Sequence, residues 1–194
     1  MIALTRPECP NPAALAAGKY DNPVNKEALR QSTSGKCMYC ESKIEHNSYA
    51  QVEHIKPKSK FPELEFTWEN LGYCCQICNT EKGVKYDSTL PFINPYNEDP
   101  EEHIVFLGFL VYPKHGSERG GYTIKELQLN RAGLVDIRKE RVDKLIIMIK
   151  AAFHTSNESL RRQAIVELIK EAEKDKEYSA MVKSVLFAQG LLKS

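Results

Sequence analysis

Two short cysteine pairs frame the stretch of sequence that decides the fold: Cys37-Met-Tyr-Cys40 opens it and Cys75-Gln-Ile-Cys78 closes it. In a C-x2-C pair a tight turn lets both thiolates point at one metal ion, and two such pairs supply the four ligands of a closed tetrahedral zinc site. A single pair is also compatible with a redox motif, but two pairs at this separation favour structural Zn²⁺. The sequence therefore predicts a small fold that is held together by metal.

The two remaining cysteines are expected to have no primary ligand role. Cys74 is adjacent to Cys75 and can replace it, but C-x3-C is the less usual spacing, so we expect Cys74 to be a packing residue or an alternate ligand. Cys9 has no paired cysteine and is expected to be without a role. This use of cysteine argues against a disulfide framework. Since the chain has neither a signal-peptide core nor an apolar run of about 20 residues, we expect a cytoplasmic protein without membrane contact.

Polar residues between and just after the cysteine pairs are those that phosphodiester hydrolysis needs. His54 is neutral enough near pH 7 to take a proton from water, and the Asn70 carbonyl can accept the other imidazole proton and fix the tautomer. Glu53 can place a hard oxygen on Mg²⁺, and Asn79 can offer a second oxygen from a helix that begins at the second cysteine pair. Lys82 lies three residues further along the same helical face, within reach of phosphate.

Each of these residues also has a purely structural interpretation. A lone histidine is more often a surface or hydrogen-bonded residue than a base, and an isolated asparagine is more often a turn, cap or surface amide. A zinc ribbon that binds nucleic acid or a partner protein without cutting is therefore the alternative function. It has no use for Glu53 and His54 in combination with Asn70 and Asn79, and this combination favours the nuclease.

The order C-x2-C, Glu-His-Ile-x-Pro-Lys-Ser, Asn-Leu, C-x2-C-Asn-x2-Lys-Gly resembles the zinc-containing HNH endonuclease family over residues 37–83. The resemblance implies a ββα-metal core in which His54 is the general base and Asn70 orients it. It also implies that Glu53 and Asn79 hold one divalent ion. Glu53 stands where Asp is common, and Asn79 where His is sometimes found. Both residues keep an oxygen donor, which suits Mg²⁺ or Mn²⁺.

The stretch from Phe92 to His103, with the later Thr123 to Arg138, is similar to the HNH subunits of bacterial anti-phage systems of the Septu and retron type. This resemblance implies an ABC/AAA-type ATPase as partner and a role in defence. Asp99 and His103 lie in the same stretch. From their spacing alone we expect them to be turn and strand-start residues rather than active-site residues.

The patterns predict an α+β protein with a zinc-bound HNH core, a β-hairpin and a helical extension. Asn25 is the predicted N-cap of a first helix over residues 26–31. The runs HIVFLGFLVYP and GGYTIKEL are predicted to be the two strands of the hairpin, and three helices follow from Leu134, with a cap at Ser156 or Asn157. The predicted segments are an N-terminal arm and helix (1–36), the nuclease core (37–90), a turn and hairpin (91–133) and a helical, partner-docking extension (134–194).

Charge composition limits how nucleic acid can be bound. The 194 residues include 27 Lys and Arg against 26 Asp and Glu, a formal net charge of +1, which excludes a strongly basic coat. Phosphate contact must then come from a metal ion and a few placed lysines, and binding without a partner should be weak. We expect DNA as the substrate, with RNA as the alternative. The lysines near the predicted site are Lys56, Lys58, Lys60, Lys82 and Lys85.

Overall fold

A β-hairpin followed by a short helix forms the centre of the protein, whose computed structural model describes residues 1–44 and 49–193. Strand β1 (Ala50–His54) pairs antiparallel with β2 (Leu71–Cys75), and helix α3 (Gln76–Lys82) follows directly. Gly72 in β2 lies so close to Met38 that a Cβ at this position would overlap the methionine sulfur. The first cysteine pair is thereby pressed onto β2, and the predicted ββα unit is confirmed.

The N-terminal arm contains two helices, α1 (Pro12–Ala16) and α2 (Pro23–Ser32). The prediction of Asn25 as N-cap was wrong, because Asn22 caps α2 through its side chain. Pro23 occupies the first helical turn, where a missing N–H costs nothing. Asn25 is instead fully buried and ties α2 to the chain before α1, since its amide accepts from Asn11 N and donates to Asn11 O.

The second hairpin is built from one sequence run instead of two. Strands β3 (Ile104–Leu107) and β4 (Leu110–Pro113) both come from HIVFLGFLVYP, which reverses at Gly108, where φ is 62°. The predicted strand GGYTIKEL is wrong: it lies in helix α4 (Glu118–Glu126), capped by the Ser117 side chain. Four-residue strands leave a two-residue connection, and the glycine permits the positive φ that such a tight turn needs.

The helical part begins with α5 (Ala132–His154), followed by α6 (Glu158–Lys170) and α7 (Ser179–Ala188). Asn157 caps α6, as predicted, by accepting from Leu160 N. Helix α7 packs on β3 and is held there by a hydrogen bond from Ser184 Oγ to Phe106 O of 2.7 Å. Helix α7 is therefore packed into the same apolar core as the rest of the fold.

One continuous apolar cluster runs through the N-terminal arm, the cysteine pairs and α7. The described residues are 46% helical and 11% strand, counting the isolated bridge of Lys36 with Lys43, and the α+β class is confirmed. This part of the chain also includes single-turn 3-10 helices, at Pro62–Leu64 and Trp68–Asn70 between β1 and β2 and at Pro100–Glu102. Across residues 1–44 and 49–193, none of the helices combines the length and apolar character that crossing a bilayer requires.

Candidate active site and metal centre

The four predicted metal ligands come together in one buried cluster. The sulfurs of Cys37, Cys40, Cys75 and Cys78 all lie within 4.8 Å of one another, and Cys40 Sγ is 3.9 Å from Cys75 Sγ. Zn–S bonds of about 2.3 Å in a tetrahedron place the sulfurs about 3.8 Å apart. The four cysteines are thus positioned to hold a metal ion, and both their chemistry and their spacing fit zinc.

Cys74 is buried beside this cluster without belonging to it. Its sulfur lies 3.8 Å from Cys37 Sγ and 3.3 Å from the Cys75 carbonyl oxygen. Successive residues of a strand point to opposite faces, so β2 can direct only one of its two terminal cysteines into the cluster. The cluster contains Cys75 and not Cys74, which supports Cys75 as the ligand, and this choice stays a prediction.

Two arginines interact with the cluster, Arg131 by direct contact and Arg138 electrostatically through Cys40. Arg131 Nη1 is 3.7 Å from Cys78 Sγ. Arg138 is 1% exposed and donates to Leu129 O at 2.7 Å, while Phe106 and Tyr178 lie beside its guanidinium. No described carboxylate forms an ion pair with either arginine. Buried charge is costly unless it is compensated, and a cluster of thiolates supplies the opposite charge.

His54 is the last residue of β1, and its ring is held by a main-chain atom. Its Nε2 lies 2.9 Å from the carbonyl oxygen of Glu65. A carbonyl can only accept, so Nε2 carries the proton and Nδ1 of the neutral ring is left with its lone pair. Burial lowers the pKa of His54, and Lys58 adds to this effect, while the bond to Glu65 opposes it without reversing it. The ring is thereby kept neutral and able to accept a proton.

Asn70 does not orient the imidazole, and this part of the prediction was wrong. Its Oδ1 accepts from Lys56 N at 2.8 Å, and its Nδ2 donates to Lys56 O at 3.0 Å and Leu64 O at 3.1 Å. The side chain therefore clamps two backbone segments, the one that follows His54 and the one that leads to Glu65. Asn70 positions the histidine only indirectly, by holding Lys56, two residues after it, and Leu64, the residue before its hydrogen-bond partner Glu65.

Lys82 is buried and does not reach the surface where phosphate would bind, contrary to expectation. Its Nζ lies 2.6 Å from Glu53 Oε1 and donates to His54 O at 2.8 Å, and the Lys82 and Glu53 side chains are 1% and 2% exposed. Burial raises the pKa of Glu53 to about 7, although Lys82 acts in the opposite direction. Lys82 is therefore the counter-ion of the carboxylate beside the histidine.

The expected donors for a divalent ion, Glu53 and Asn79, come from adjacent elements of the ββα unit, β1 and α3. A carboxylate and an amide oxygen are hard donors that suit Mg²⁺ or Mn²⁺, so the donor chemistry fits. Both side chains have protein partners, since Lys82 pairs with Glu53 and Asn79 hydrogen-bonds to Gln51. An ion that binds through Glu53 Oε1 must displace Lys82, whereas the Asn79 bond to Gln51 is made by Nδ2 and not by the oxygen donor.

Asp99 and His103 belong to a separate hydrogen-bonded group. Asp99 caps a 3-10 turn by accepting from Glu101 N. His103 bridges Ser117 Oγ at 2.9 Å and Glu98 Oε2 at 3.1 Å, and Glu98 also binds Arg119. These contacts hold the second hairpin to α4, in agreement with the structural interpretation of both residues.

Glu65 and Tyr20 contact the histidine but were not predicted from the sequence. Glu65 acts through its carbonyl, which every residue possesses, so its identity gives no signal. Tyr20 comes from the N-terminal arm, and its ring centroid is 4.6 Å from that of His54 in an edge-on arrangement. Only the fold brings this distant residue to the end of β1.

Comparisons with known proteins agree with this geometry. A family model described as HNH endonuclease matches residues 37–85. A Septu protein PtuB of Bacillus thuringiensis is 31% identical to the chain, over 96% of the chain and 82% of that protein. A second Septu protein PtuB, of Bacillus mycoides, is 29% identical over 80% of the chain and 64% of its own length. A Vibrio cholerae protein is named as a putative HNH endonuclease of retron Vc95. It is 34% identical, over 63% of the chain and 65% of that protein.

Proposed function

Because the chain belongs to the family of the Septu PtuB proteins and carries an HNH endonuclease domain, we propose that it hydrolyses phosphodiester bonds of nucleic acid in a metal-dependent reaction. The observation that carries the proposal is the state of His54 at the end of β1. Its Nε2 is tied to the Glu65 carbonyl, which leaves Nδ1 as the proton acceptor.

In the proposed reaction His54 Nδ1 takes a proton from water. The water oxygen attacks phosphorus, the bond to the 3′ oxygen breaks, and this oxygen takes a proton from solvent water, so that the products are a 3′-hydroxyl and a 5′-phosphate. The Glu65 carbonyl keeps the ring in one tautomer throughout, and Asn70 holds the backbone at Lys56 and at Leu64. Both are positioning residues, because neither contacts the reacting atoms.

Glu53 and Asn79 are the residues that would hold the divalent ion, Mg²⁺ or Mn²⁺. When bound, such an ion neutralises charge that develops on the scissile phosphate and on the departing oxygen. Lys82 pairs with Glu53 and opposes the rise in pKa that burial causes, so it favours the ionised carboxylate that the ion needs. The four cysteines would hold a second ion, Zn²⁺, and four thiolate ligands would give it a structural role.

The proposed biological setting is an anti-phage complex with an ABC/AAA-type ATPase, by analogy with relatives named for Septu and retron systems. Helices α5 and α6 support a docking role because they expose large apolar side chains: Ile147 is 67% and Leu160 57% exposed. The matched test is co-purification with an ATPase encoded beside this chain. Ile147→Asp with Leu160→Asp should abolish co-purification, and retention of full binding would exclude this face.

Nicking of supercoiled plasmid and cleavage of single-stranded DNA and RNA test the nuclease itself. The full chain, alone and with the ATPase, should cut at least one substrate with added Mg²⁺ or Mn²⁺ and none without added divalent metal. Failure with every substrate and metal would contradict the proposal.

A non-catalytic nucleic-acid-binding module is the second candidate, and one observation favours it. One expected donor of the divalent site is already engaged, because Glu53 Oε1 pairs with Lys82, whereas Asn79 bonds to Gln51 through its amide Nδ2 and not through its oxygen. Titration calorimetry with Mn²⁺ separates the two functions. The nuclease requires binding that Glu53→Gln weakens, whereas the module requires none at this site.

A further inference from the structure

Lysines of the loop that follows His54 lie beside aromatic rings, one from the same loop and one from the N-terminal arm. Lys56 Nζ lies 5.4 Å from the ring centroid of Phe61, and Lys58 Nζ lies 4.6 Å from that of Tyr20. Lys60 is also exposed, and its Nζ lies 3.5 Å from the carbonyl oxygen of Tyr86. The ring of Tyr86 packs edge-on against Phe61. The loop therefore presents cations and ring faces side by side.

The rings continue up to the catalytic histidine. Tyr20 contacts His54, and on its other side its centroid is 6.5 Å from that of Phe66, which is 41% exposed. Phe66 directly follows Glu65, the residue whose carbonyl holds the His54 ring. The Phe66 ring is thus exposed to solvent, one residue after the carbonyl that positions His54. We call the set Tyr20, Lys56, Lys58, Lys60, Phe61 and Phe66 the aromatic–lysine strip.

We propose that this strip binds a nucleic-acid strand whose bases are unstacked, a single strand or an opened segment, in preference to an intact duplex. The inference rests on the proposed function and names the substrate class of the same site. Phe66 stacks on the base next to the scissile phosphate, and Lys56 and Lys60 contact the backbone.

The chemistry of the strip explains this preference. Aromatic side chains stack on bases of any sequence, but only where the bases are free of their own neighbours, because a duplex buries the base faces. Proteins that hold an intact duplex depend instead on dense positive charge over many phosphates. Here the net charge is +1, and Lys58 is already paired with Glu65 at 2.8 Å. Stacking of bases on the aromatic rings is therefore expected to contribute more to binding at this surface than positive charge does.

Equilibrium binding without added divalent metal tests the proposal separately from cleavage. The probes are a fluorescein-labelled 12-nucleotide single strand and the same strand in a duplex. We expect the single strand to bind several-fold more tightly, and Phe66→Ala to weaken single-strand binding about tenfold. Phe66→Trp should restore it. Phe187→Ala is the matched control, because Phe187 is 53% exposed on α7, and it should bind like wild type.

Tighter binding of the duplex, or unchanged single-strand binding by Phe66→Ala, would overturn the proposal. The second result would indicate that Phe66 serves a protein partner. These outcomes are distinct from failure of the nuclease function. If the protein cuts nothing but Phe66→Ala still weakens single-strand binding, the strip stands and catalysis fails. If His54 is required for cutting but Phe66→Ala changes neither binding nor KM, catalysis stands and the strip fails.

Discussion

The two ends of the β1–β2 hairpin are built in opposite ways. At one end Cys75 joins three other buried thiolates in a closed cluster whose members are all side chains. At the other end His54 is positioned by main-chain atoms: the Glu65 carbonyl holds its ring, and Asn70 holds the neighbouring backbone. The first arrangement follows from short-range spacing. The second depends on contacts that only the folded chain makes.

The largest effect is expected at the cysteine end. Cys75→Ser should abolish zinc retention and cooperative folding, because structural zinc binding contributes roughly 10–16 kcal/mol, as much as or more than the typical stability of a domain. Metal analysis of the purified protein and thermal unfolding by circular dichroism measure both effects. Cys74→Ser is the matched control. This variant should keep zinc, and its free energy of unfolding should fall by about 1 kcal/mol. Loss of zinc from Cys74→Ser with retention by Cys75→Ser would assign the ligand to Cys74.

A smaller effect is expected for the buried ion pair beside the histidine. Lys82→Met leaves the Glu53 carboxylate buried without its partner, and breaking such a pair costs about 3–5 kcal/mol. Urea unfolding measures the loss. Adding Glu53→Gln should recover most of it, because no uncompensated charge then remains. If the double variant is no more stable than Lys82→Met, loss of the Lys82–Glu53 pair does not explain the destabilisation.

Asn70→Ala should loosen the histidine end and leave the cysteine end intact. It leaves the Lys56 amide and two carbonyls without their partner, at a cost of about 1–3 kcal/mol for each group that remains buried. Hydrogen exchange at Lys56 N should accelerate, with unchanged zinc content. Asn70→Asp keeps the acceptor for this amide and should show less acceleration. Wild-type exchange at Lys56 in Asn70→Ala would contradict the clamp.

The smallest effect is expected for Arg131, which joins the helical part to the cysteine end. Arg131→Gln removes the charge next to Cys78 Sγ and should speed zinc transfer to a chelator severalfold. Arg162→Gln on α6 makes the same chemical change at an exposed ion pair and should transfer zinc at the wild-type rate. Equal rates for both variants would show that Arg131 contributes nothing to the metal centre.

The sequence was sufficient wherever residues close in the chain act together. The C-x2-C spacing predicted the cluster, and the combined motif predicted the ββα unit and the HNH domain. Prediction from the sequence failed where one residue pattern is compatible with two structures. GGYTIKEL has strand-forming residues, but Ser117 caps it as a helix. Asn25 resembles a cap, yet Asn22 followed by Pro23 is the stronger signal.

Contacts between distant residues explain the remaining differences. Lys82 has helical spacing from Asn79, which suggested a shared surface, but the packing of α3 on β1 turns it inward onto Glu53. The Glu65 carbonyl has no counterpart in any sequence pattern. Tyr20 reaches His54 across more than thirty positions of chain, and only the packed arm brings them together.

The role of His54 is tested most directly by His54→Ala in the full chain, assayed for divalent-dependent cleavage together with its zinc content. A general base contributes about 10²–10⁴-fold to rate, so cleavage should fall by at least about 100-fold while zinc content and the unfolding midpoint stay near wild type. Cleavage at the wild-type rate by a zinc-loaded His54→Ala protein would contradict the central claim.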